Sequence, residues 1–165
     1  MDGHDDGPHA REPQIEDLAR ICAALNAAGA RYILIGGFAV IAQGASRTTK
    51  DIDLLIDPAS ENVSRVRTAL SILEDKAVNE VEDDDVRRYT VVRVADEFVI
   101  DLMALACGVD YAEALKDAET IDVQGIPVVV ASPATLIRTK DTDRPSDHAD
   151  RRYLDALLAE RKRQA

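Results

Sequence analysis

The sequence predicts an α/β (α+β) fold with a single mixed, largely antiparallel sheet flanked by helices, and three observations carry that prediction. The apolar pattern runs helix, strand, helix, strand, helix, then changes to paired runs rich in β-branched residues before two closing helices. Two pairs of those later runs are separated by only two residues, Ala95-Asp96 and Gln124-Gly125, which is hairpin spacing. A length of 165 residues supports one core and is too short for two sizeable ones.

Residues 1–12 lack an apolar pattern and are expected to form a disordered acidic tail, leaving a single domain over 13–165. Ile15, Leu18, Ile21, Cys22 and Leu25 recur at helical spacing, Pro13 suits the start and Gly29 the end, so a helix is expected over about 14–28. Residues 32–35 read as a strand ending in Gly36-Gly37, and 38–43 as a short helix stopped by Gly44. Residues 52–56 form the next strand, closed by Asp57-Pro58. Ser60 is placed to cap a helix to about residue 75 with Val63, Val66, Leu70 and Leu73 inward. The acidic run 80–85 reads as a loop. Residues 88–94 and 97–105 form the first hairpin, 111–117 a short helix, and 120–123 with 126–130 the second hairpin. Ser132-Pro133 caps a helix to about residue 140, 143–146 turns, and a helix over 147–163 completes a C-terminal pair spanning about 133–163.

The formal net charge of −11 is concentrated. Residues 1–17 hold six acids and one base, 74–85 hold seven acids and one base, and the remaining 18 acids match 18 bases. With no long basic stripe, tight nonspecific binding to nucleic acid is not favoured. No apolar stretch approaches the roughly eighteen residues of a membrane span, and the first residues lack an apolar signal core, so a soluble cytoplasmic protein with no membrane partner is expected. Cys22 and Cys107 fall in apolar runs without CxxC spacing and are expected to be small buried side chains.

Chemistry is concentrated in the carboxylates of KDIDLLID. In a strand Asp51 and Asp53 project to one side while Ile52 and Leu54 take the other. Asp101 interrupts the apolar run FVIDLMAL, and a carboxylate inside a buried strand is costly unless paired or bound to metal. Three aspartates on adjacent strands suit Mg²⁺, with two ions expected and Mn²⁺ as an alternative. Upstream, Gly36 and Gly37 lack Cβ and let the backbone approach phosphate oxygens, and Ser46, Arg47 and Lys50 add a hydroxyl and two cations.

The segment 36–56, GGFAVIAQGASRTTKDIDLLI, resembles the nucleotidyltransferase signature of the DNA polymerase beta superfamily, in which a glycine pair opens a helix and precedes a strand-borne Asp-x-Asp. Asp101 resembles its third carboxylate. The segment 131–157 is similar to the ending of small bacterial members related to AbiEii-type toxins, with a Leu-Ile-x-x-Lys helix before an Asp-x-x-Asp helix start. The resemblance implies a nucleotidyltransferase fold with Asp51, Asp53 and Asp101 as catalytic metal ligands. It also implies that Gly36, Gly37 and Lys140 hold the nucleotide, and that Asp147 or Asp150 orients Lys140 or the acceptor; helix capping is the other reading of Asp147. His148 reads as a surface helix residue.

The expected activity is Mg²⁺-dependent transfer of a nucleoside monophosphate from an NTP, ATP included, to a hydroxyl, releasing pyrophosphate. Acceptor candidates are a small molecule, a protein side chain, or tRNA if the chain is a toxin with a cognate antitoxin. The alternative is a non-catalytic nucleotide-binding or protein-interaction module of the same fold.

Overall fold

The computed structural model describes residues 10–165. The expected tail therefore lies largely outside the described residues. Within it, Arg11 donates its backbone N–H to the Glu97 carbonyl at 2.9 Å and its guanidinium to both oxygens of Asp17.

Helix α1 (Ile15–Ala27) buries Leu18, Ile21, Cys22 and Leu25, the positions its spacing selects. Strand β1 (Tyr32–Ile35) runs directly into α2 (Gly36–Ala42), and β2 (Asp51–Ile56) returns antiparallel to β1. Then follow α3 (Ser60–Leu70), a 3₁₀ turn (Ala77–Glu80), α4 (Asp85–Arg88), and the hairpin β3 (Val92–Ala95) and β4 (Val99–Met103). A small ribbon, β5 (Leu105–Ala106) with β6 (Val109–Asp110), precedes α5 (Tyr111–Leu115). The hairpin β7 (Glu119–Val123) and β8 (Ile126–Val130), then α6 (Pro133–Thr139) and α7 (Pro145–Gln164), complete the chain.

The main sheet has the order β3-β4-β2-β1-β8-β7. Pairs β1–β2, β3–β4 and β7–β8 are antiparallel, and β2–β4 and β1–β8 parallel, giving the mixed sheet the pattern predicts. Buried Ile33, Leu34, Ile52, Leu54, Ile100, Leu102 and Val128 join α1 and α3 residues in one core.

Local departures have physical causes. The helix expected to reach residue 75 ends at Leu70, although Leu73 is buried as expected. Buried Asp96 accepts the backbone N–H groups of Asp75 and Ala77 at 3.0 and 2.8 Å, drawing the chain away from the helical path. Ser60 is the first helical residue and does not cap; Asp57 instead accepts the N–H of Ala59, the cap position. The first hairpin starts at Val92 because Asp85–Arg88 forms a helical turn. Ser132 caps α6 as expected, accepting the Thr135 N–H at 3.1 Å. Helix α7 begins at Pro145 with Arg144 at the cap, so Asp147 sits inside the first turn and does not cap it. Cys22 is buried, whereas Cys107 is exposed with φ 46° in the tight β5–β6 turn, where Leu105 pairs with Asp110.

Candidate active site

Backbone register builds the site. In the parallel pair β2–β4 Asp53 lies opposite Asp101, in the hairpin β3–β4 Arg93 lies opposite Asp101, and in β1–β2 Ile35 lies opposite Asp53. One row across four strands therefore reads Arg93, Asp101, Asp53, Ile35, with the glycine turn starting at the next residue. Asp51 is two residues before Asp53 and shares its face. One oxygen from each of Asp51, Asp53 and Asp101 lies within 4.8 Å of the others.

The glycines make room for that cluster. Gly36 has φ +73°, a left-handed backbone that disfavours side chains, and a Cβ there would fall 2.0 Å from Oδ2 of Asp53. A Cβ on Gly37 would fall 2.6 Å from the Thr49 hydroxyl and 3.3 Å from the Arg47 guanidinium.

Asp101, only 6% exposed, accepts from Arg93 Nε through Oδ1 at 3.0 Å and from a terminal nitrogen of the same guanidinium through Oδ2 at 3.0 Å. The terminal nitrogen also lies 3.4 Å from Oδ2 of Asp51. Burial, then the charges of Asp51 and Asp101, push the Asp53 carboxyl up to about 8.

Facing the trio, the α6–α7 corner forms a second charged group. Lys140 is 5% exposed and pairs with Asp150 at 3.0 Å and Asp147 at 3.6 Å. Asp150 also accepts from Arg47, and Asp147 from the Thr142 hydroxyl and Arg144 Nε. Burial opposes ionisation of Asp147, yet Thr142, Lys140 and Arg144 together hold it below the usual carboxylate range. Arg151 braces the corner by donating to the carbonyls of Lys140 and Thr142.

Between the two groups lies a cleft of about 580 Å³. It brings together the expected Gly36, Gly37, Arg47, Asp51, Asp53, Asp101, Lys140, Asp147 and Asp150. Ser46 and Lys50 do not line it. Burial alternates along 46–50: half-buried Arg47 and Thr49 line the cleft, while exposed Ser46 and Lys50 do not. Lys140 is buried and ion-paired at the edge of the cleft. His148 is exposed, as expected.

Arg93, Thr49 and Arg144, which also line the cleft, are not among the candidates read from the sequence. Neither is the apolar flank of Val91, Met103 and Ala106.

No protein-family model and no curated protein matches the chain. Solved structures do. A Thermotoga maritima protein described as a "putative nucleotidyltransferase" superposes with a TM-score of 0.54 at 14% identity, covering 92% of this chain and 93% of its own. The structure of ANT(2")-Ia in complex with adenylyl-2"-tobramycin superposes with a TM-score of 0.54 at 19% identity, covering 92% of this chain and 99% of its own. The chain has the nucleotidyltransferase fold. Within that fold, the row Arg93, Asp101, Asp53 crosses the sheet beside the glycine turn. Among the described residues, no helix is long and apolar enough to cross a membrane.

Proposed function

We propose that the chain is a metal-dependent nucleotidyltransferase that moves a nucleoside monophosphate from an NTP, ATP among them, to a hydroxyl and releases pyrophosphate. The observation that carries this reading is the convergence of Asp51, Asp53 and Asp101 within 4.8 Å beside a turn where glycine alone fits. Three carboxylates form a hard oxygen donor set suited to Mg²⁺ or Mn²⁺, and their mutual repulsion at Asp53 calls for added positive charge. Bound there, two such ions would supply charge neutralisation at the phosphates and polarisation of the acceptor oxygen.

The chain's own residues have separable tasks. Asp51 and Asp53 would hold the metal, and Asp101 would complete the set and take the proton of the attacking hydroxyl. Gly36 and Gly37 keep the wall low enough for a triphosphate, and Arg47 and Arg144 offer it cations. Arg144, 74% exposed and fixed through Nε to Asp147, keeps the rest of its fork available to the cleft. Lys140 pins the α6–α7 corner, and Asp147 and Asp150 orient it.

The acceptor we favour is a small hydroxylated molecule or a protein side chain. ANT(2")-Ia, seen with adenylyl-2"-tobramycin, is a fold relative with a small acceptor. A second reading makes the chain an AbiEii-type toxin that acts on tRNA and is held by a cognate antitoxin. It rests on the resemblance of 131–157, the segment that forms the second wall of this cleft.

Incubation with labelled NTPs, Mg²⁺ and an acceptor panel, reading pyrophosphate release and label transfer, tests the proposal. Transfer by wild type and none by Asp53→Asn is the expected result. Nucleotide binding without transfer to any acceptor would favour the non-catalytic module.

A further inference from the structure

We infer that Arg93 is a resident counter-cation of the carboxylate trio, holding the place of a divalent ion until one binds and then giving way to it. This inference rests on the metal-site reading above and adds a residue that reading does not need.

The geometry is that of an internal cation. Arg93 meets both oxygens of Asp101 at 3.0 Å and reaches Asp51 at 3.4 Å, so one guanidinium spans two of the three candidate metal ligands. Bidentate arginine–carboxylate pairing is strong and directional, and it satisfies the oxygens of a buried carboxylate without a metal. A divalent ion shared by Asp51, Asp53 and Asp101 would sit against the same oxygens. Two cations cannot occupy that space without strong repulsion.

The scaffold allows the exchange. Arg93 projects from β3, the edge strand of the main sheet, and its side chain is 34% exposed on the cleft, whereas the side chain of Asp101 on β4 is 8% exposed. The guanidinium can therefore withdraw toward the cleft mouth while the carboxylates stay fixed by the β2–β4 ladder. A positioning arginine that merely aims Asp101 would strengthen ion binding. A resident cation weakens it, and the two roles predict opposite signs.

Mn²⁺ binding to the nucleotide-free protein, followed by electron paramagnetic resonance, decides between them. Arg93→Gln should bind Mn²⁺ roughly tenfold or more tightly than wild type, since the competing charge is gone. Arg93→Lys should stay near wild type. Unchanged or weaker Mn²⁺ binding in a folded Arg93→Gln would overturn the inference. A readout on wild type alone covers a variant that fails to fold: the ¹⁵N signal of Arg93 Nε should shift as Mg²⁺ is added, and a signal that stays put while Mg²⁺ binds would also overturn it. Asp53→Asn separates this inference from the reading beneath it. Equal Mn²⁺ binding by wild type and Asp53→Asn means that the trio is not the metal site, whereas loss in Asp53→Asn with no gain in Arg93→Gln removes only the role of Arg93.

Discussion

Gly36 and Asp53 share one volume: a methyl group on the glycine would fall 2.0 Å from Oδ2 of the aspartate. The turn and the carboxylate are therefore a single steric unit. Gly36→Ala should cost about 1–2 kcal/mol for its left-handed backbone and also displace the Asp53 carboxylate. Chemical denaturation should show the stability loss, and Mn²⁺ binding should fall together with transfer. Wild-type Mn²⁺ affinity in this variant would separate the turn from the trio.

The Asp53 carboxyl, at about 8 against an ordinary value of 3.8, sets a pH dependence. Between those values the native state holds a proton that the unfolded chain has released. Its stabilising contribution is thus complete below about 4 and lost as pH rises through about 8. Metal-free wild type should become less stable across that window, and Asp53→Asn should flatten the decline. Because a bound ion needs the ionised carboxylate, metal binding at pH 7 should release a proton, measurable by calorimetry in buffers of different ionisation enthalpy.

Lys140 links two helices. Removing its charge leaves Asp150 with Arg47, and Asp147 with Thr142 and Arg144, so the cost should lie near the lower end of that for a broken buried pair, about 3 kcal/mol. Lys140→Met should shift the denaturation midpoint by a corresponding amount. An unshifted midpoint would mean that the ion pairs of Lys140 do not hold the corner together.

Much of this was legible because it is local. The two-residue period puts Asp51 and Asp53 on one face without knowledge of any partner strand, and Asp101 stands out as a charge inside an apolar run. Arg93 was not legible, because its role depends on hairpin register. A two-residue turn at Ala95-Asp96 would set Arg93 opposite Phe98. Instead Asp96 gathers the N–H groups of Asp75, Ala77 and Glu97, the turn widens to pair Ala95 with Val99, and Arg93 arrives opposite Asp101. The partners of Lys140 were hidden for a related reason. Helical periodicity ends with its own helix and cannot show that α7 folds back to place Asp147 and Asp150 upon it.

Alternation along 46–50 gives a paired test. Arg47→Ala should weaken NTP binding by roughly tenfold to a hundredfold, the range of one charge-assisted contact. Ser46→Ala and Lys50→Ala, whose side chains lie outside the cleft, should leave it unchanged. Equal losses at Arg47 and Lys50 would mean that the nucleotide lies outside this cleft.

The two walls of the cleft differ in what holds them. The carboxylate wall is locked by strand register, in which a slip of one residue would turn every aspartate to the opposite face. The basic wall rises from the 46–50 connection and the corner between α6 and α7, where length and composition can change without disturbing the sheet. Such a division lets a lineage exchange acceptors by rebuilding one wall while inheriting the other intact.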